Sequence, residues 1–141
     1  MKKSSIIPML SKGFILLSAC SLLSVSLMAF ANPQSVMDMV EVTLENNDAA
    51  SSIRGVYGGV GLTLVLALLY TIRKNVQEGL ALLSLLWGLY AVSRIITIFN
   101  EGSLGAFGTK WLTIESLFFG IALTLFLLGK RSYAKQTPAL R

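Results

Sequence analysis

The chain has 141 residues, of which 54% are hydrophobic and only 13% charged, and its mean hydropathy is +0.70. The apolar residues are gathered into blocks, a membrane composition, and the formal charge of +5 flanks those blocks instead of forming the aromatic-interleaved patch of a nucleic-acid binder. The absence of His and the presence of one cysteine, Cys20, exclude imidazole-ligated haem, His metal sites, His acid/base catalysis and thiol-pair redox chemistry.

Residues 1–12 form a basic start with Lys2, Lys3 and Lys12, and residues 13–31 are an apolar, Ser-containing run. Two readings of it stand side by side. Ala29-Phe30-Ala31 before Asn32 suits a secretory cleavage site, whereas an apolar length near 19 is enough to span a bilayer as a retained helix. Leu17-Ser18-Ala19-Cys20 has the look of a lipoprotein box, but the residues after Cys20 stay apolar, so Cys20 reads as a buried small hydrophobe.

Pro33 breaks this helix, and Ser35-Val36-Met37-Asp38 resembles a capping box at the start of another. Val36, Met39, Val40, Thr43 and Leu44 follow helical spacing with Asp38, Glu41 and Glu45 off the stripe, which predicts a short amphipathic helix with a solvated acidic face. Asn46-Asn47-Asp48 ends it with turn chemistry. Next comes Arg54-Gly55-Val56-Tyr57-Gly58-Gly59-Val60-Gly61, a cation and four glycines at the mouth of a run that stays apolar to Ile72. Gly55 and Gly59 stand four apart, and Gly58 and Gly61 lie near Arg54 on the helical wheel, so a packing seam for a neighbouring backbone is expected there.

A polar turn at residues 73–78 leads into a third run, residues 79–99, interrupted by one charge, Arg94. Gly102, Gly105 and Gly108 mark a loop, and residues 111–129 form the fourth run, with Trp111 at an interfacial position and Glu115 one turn inside. Lys130, Arg131, Lys135 and Arg141 make a basic tail. The fold class expected is all-α: one integral membrane four-helix bundle with helices near 13–31, 55–72, 79–99 and 111–129 and the short amphipathic helix in the first outer loop. Nine Lys and Arg fall at the two ends and the loop between helices two and three, against Arg54 and Lys110 opposite, so the positive-inside rule puts both termini in the cytoplasm.

In this topology Arg94 and Glu115 both lie about 6 to 8 Å below the outer boundary at 1.5 Å per residue. Ionisable groups inside a span face the protein interior and pair, so an Arg94 to Glu115 ion pair is expected, with Arg54 near the same level. Trp87, Tyr90, Ala91, Arg94 and Ile98 share one face of helix three, and Glu115, Phe118, Phe119 and Ala122 share one of helix four. With Tyr57 beside the glycines they describe a small amphipathic cavity suited to an anion or an amphipathic molecule; the plainer alternative is that the charges staple helices and the aromatics pack.

Arg54-Gly55-Val56-Tyr57-Gly58-Gly59, Ser93-Arg94 followed by Glu101-Gly102, and Glu115 early in the fourth helix resemble the bacterial domain of unknown function 4345 family of small four-helix membrane proteins. Pro33 after the first helix is similar too, whereas Glu101-Gly102 departs from that family's Asp-Gly. The resemblance implies the fold and an integral location in a bacterial inner membrane, and no activity. A more distant similarity to DoxX-like membrane proteins points to quinone-linked redox partners. Three function classes follow. The favoured one is a non-enzymatic module, without cofactor or metal, that binds a ligand, a membrane protein partner or a second copy through Arg54, Tyr57, Tyr90, Arg94 and Glu115. The alternatives are a small transporter, which lacks a deep coupling carboxylate, and a quinone-associated subunit, which would have to borrow its redox centre.

Overall fold

The computed structural model describes residues 6–134. Lys2, Lys3, Lys135 and Arg141, which enter the charge argument above, lie outside the described residues, as does the Arg131 side chain. The described chain is all-α. In order it forms α1 (Ile6–Ala31), α2 (Pro33–Asp38), α3 (Asn47–Ile53), a wide-turned π-helical segment (Arg54–Val60), α4 (Gly61–Lys74), α5 (Val76–Glu101) and α6 (Ala106–Ala134). Four stretches are long and apolar enough to cross a membrane: Ile6–Ala31, Asn47–Lys74, Val76–Glu101 and Ala106–Lys130. Each approaches or exceeds 25 residues, ample for a hydrocarbon layer of about 30 Å at 1.5 Å per residue.

The helices outrun their apolar blocks, and local chemistry at their ends allows it. Pro8 falls in the first turn of α1, where a missing N–H costs no hydrogen bond. Asn75 opens α5: its Oδ1 accepts from the Gln77 N–H at 3.1 Å and its Nδ2 donates to Glu78 Oε1 at 2.8 Å. At the far end Gly102, with φ +100°, takes the backbone out of the helix where a side chain would be strained.

The segment after α1 departs from expectation in three ways. Asn32, not Ser35, caps α2 by accepting the Gln34 N–H at 3.1 Å, and Pro33 starts that helix instead of merely breaking α1, because its fixed φ suits the first helical position. The short helix does bury Val36 and Met37 against Ala29, but it stops at Asp38 and does not run on to Leu44. Met39 and Leu44 reach the same cluster from irregular backbone, with Glu41 at φ +58°. Gln34 holds that backbone: its Nε2 donates to Asp38 Oδ1 at 2.6 Å and Val42 O at 2.9 Å, and its Oε1 accepts from Leu44 N–H at 2.8 Å. Asn46 then begins a helix where a helix end was expected, its Oδ1 capping Ala49 N–H at 2.8 Å. Cys20 is exposed, not buried.

The described residues form two units, one holding those up to Ile15 together with those from Thr71 onward, the other Leu16–Tyr70. The first is dominated by α5 packed along α6. Leu80 and Leu83 are fully buried, and close approach is allowed by Gly79 against Thr71 and Ile15, Gly88 under the Phe119 ring, and Gly129 under Gln77. In the second unit the cluster of Ala29, Val36 and Met37 gathers Val25, Met28 and Ile53 around it.

Candidate functional site: the Arg94 and Glu115 pair

Arg94 stands seven residues before the end of α5 and Glu115 nine after the start of α6, which puts each about 10 to 14 Å inside its helix at 1.5 Å per residue. Both are therefore further from the helix ends than the apolar blocks suggest. They meet in a fork: Arg94 Nε donates to Glu115 Oε2 at 2.6 Å and Nη2 to Oε1 at 2.8 Å. Two parallel charge-assisted bonds satisfy both carboxylate oxygens, the geometry a planar guanidinium provides and an ammonium does not. The exposure is unequal, with the Glu115 side chain 3% and that of Arg94 23% accessible. Of the five guanidinium N–H groups, Glu115 takes two.

One aromatic ring lies beside this fork and others pack around the turns beneath it. The Arg94 guanidinium carbon lies 6.0 Å from the centroid of Phe107, and Phe107 in turn lies 6.0 Å from Trp111. Below, Trp87 makes an edge contact with Phe118 at 5.1 Å and a tilted one with Tyr90 at 6.1 Å, while Phe118 meets Phe14 edge-on at 5.4 Å. Trp87 is buried, and its indole Nε1–H has no acceptor among the described residues. Tyr90 remains half-exposed.

The expected pair is present, and so are the interior positions of Trp87, Ala91, Glu115 and Ala122. Ile98 is exposed, because the face that α5 buries narrows above Arg94. Phe107 was missed, since it lies in what reads as a Gly-rich loop and only the helical extension of α6 to Ala106 brings it beside Arg94. Arg54 and Tyr57 belong to the other unit. Arg54 Nε donates to the carbonyl of Phe30 at 3.3 Å, a cation at the C-terminus of α1, and Tyr57 is exposed.

The glycine seam is half as long as expected. A Cβ on Gly58 would stand 3.1 Å from the Phe30 ring and one on Gly61 would collide with Ser26 Oγ, so these two do admit α1. Among the described residues no neighbouring side chain or helix comes within 4 Å of a Cβ placed on Gly55 or Gly59; they lie within the π-helical turn, whose altered angular spacing takes them off that face. Among the described residues no group of three or more His, Cys, Asp or Glu side chains comes together as a metal site.

No curated protein and no solved structure matches the chain. A family model described as a domain of unknown function, DUF4345, matches residues 10–127. That span takes in Arg94, Glu115, the aromatic rings near them, the π-helical turn and all or most of each of the four apolar stretches, and the chain belongs to the DUF4345 family.

Proposed function

We propose that this multi-pass membrane protein is a non-enzymatic binding module that engages an amphipathic ligand or a membrane protein partner through the Arg94 and Glu115 fork. The observation that carries the reading is the unequal exposure of the pair: a sealed carboxylate orients a guanidinium that remains partly accessible beside Phe107. With its charge matched by Glu115, the guanidinium attracts a free anion weakly, whereas its remaining N–H groups suit a hydrogen-bond acceptor carried on an apolar body. The same neutrality disfavours a proton-coupled transporter, since Glu115 is held as the partner of Arg94. Both termini on the cytoplasmic side of a bacterial inner membrane is the topology that the Lys and Arg distribution supports.

The test is purification from native membranes in mild detergent, followed by mass spectrometry of retained lipids, small molecules and chains. The wild type is compared with a double variant, Arg94→Gln with Glu115→Gln, that keeps the helices but removes the fork. A species retained by the wild type and lost from the variant supports the proposal. Identical sets of retained species would sink it.

A further inference from the structure

Ile53 packs on the Ala29, Val36 and Met37 cluster, Gly58 lies under the Phe30 ring, and Gly61 approaches Ser26. In an unbroken α-helix, at 100° per residue, Gly58 would stand about 140° round from Ile53, a wide angle for two residues that both pack where α1 ends and α2 begins. The π-helical segment Arg54–Val60 resolves the mismatch: hydrogen bonds closed from i to i+5 bring residues five apart into line. Such turns are uncommon and occur mostly as single-turn bulges at functional sites, so seven residues in that form call for a specific support.

Phe30 supplies the support twice. Its ring covers Gly58, and its carbonyl accepts from Arg54 Nε. That carbonyl is available because α1 ends here: the Gln34 N–H, which a continuing helix would offer it, is bonded to Asn32 Oδ1. The carbonyl contact is long, at 3.3 Å, and comes from an exposed guanidinium.

We propose that Arg54–Val60 is a two-register joint, π-helical when latched to Phe30 and α-helical when released, and that the register decides how Arg54 and Tyr57 are presented. Release lets Gly58 swing off the ring and turns the upstream residues by about one residue's rotation, roughly 100°, relative to α4. A competitor for the Arg54 guanidinium shifts the balance toward release, because it binds one register and not the other. The inference is independent of the reading of the Arg94 and Glu115 fork.

The test is a spin-label distance across the joint, with labels on Ser52→Cys and Leu66→Cys in a Cys20→Ser background, reconstituted in phosphatidylcholine vesicles. Fourteen α-helical residues rise about 21 Å, and the wider π turn is shorter. Phe30→Ala is expected to lengthen the distance and Arg54→Gln, which leaves the packing untouched, to populate the longer distance in part. A single distance, unchanged from wild type in Arg54→Gln and in a folded Phe30→Ala, overturns the proposal. If Phe30→Ala loses its fold, Arg54→Gln decides alone.

Discussion

Arg94 and Glu115, one helix apart and 21 residues distant in sequence, share two hydrogen bonds of 2.6 and 2.8 Å, yet only the arginine retains access to its surroundings. The asymmetry sets the cost of breaking the pair. Arg94→Gln strands a sealed carboxylate and is expected to lose about 3 kcal/mol or more of stability. Glu115→Gln strands a guanidinium that can extend toward a polar boundary, so it should lose less. The double variant should recover part of the larger loss. Thermal or denaturant unfolding in detergent measures all three, and simple additivity would show that the two groups do not act as a pair.

Trp87 offers a second contrast. Its buried indole N–H lacks an acceptor among the described residues, a situation that costs about 1 to 3 kcal/mol. Trp87→Phe keeps a ring against Phe118 and deletes the donor, so its stability should lie within about 1 kcal/mol of wild type. Trp87→Ala leaves a cavity and should lose about 3 to 5 kcal/mol. A large loss in Trp87→Phe would show that the indole donor is satisfied in the membrane.

Two glycines of α6 should respond to a different degree. Gly120 faces open space, so Gly120→Ala should raise stability by up to about 1 kcal/mol through helix propensity. At Gly129 a Cβ would displace the Gln77 amide, the far end of a flexible side chain, so Gly129→Ala should gain less than Gly120→Ala, and Gln77→Ala should restore the difference. The unfolding midpoints of the three variants check this, and equal effects at both glycines would contradict the packing described.

Glu41 holds a left-handed backbone at φ +58°, which costs an L-residue roughly 1 to 2 kcal/mol. Glu41→Gly relieves that cost and adds unfolded-state entropy, for a net change within about 1 kcal/mol. Glu41→Val, with a branched Cβ, should be clearly worse. Protease sensitivity of the segment between α2 and α3 reports the difference directly.

What the sequence determined by itself was whatever depends on solvent and spacing. Four apolar blocks specify four spanning helices whatever they pack against, and a lone acid and a lone arginine inside two consecutive blocks have each other as the economical partner. Contacts that depend on angle were decided only in three dimensions. Stripe periodicity from Val36 to Leu44 reads as a helix, but Gln34 bonds the backbone out of one; four glycines read as one seam, but a π-helical turn rotates Gly55 and Gly59 away from it. Phe107 joins Arg94 because α6 begins at Ala106, ahead of its apolar block, with the Thr109 N–H bonded to the Gly105 carbonyl. Hydropathy records where a chain enters the bilayer, whereas the direction of each side chain within it depends on local hydrogen bonds that a one-dimensional pattern does not carry.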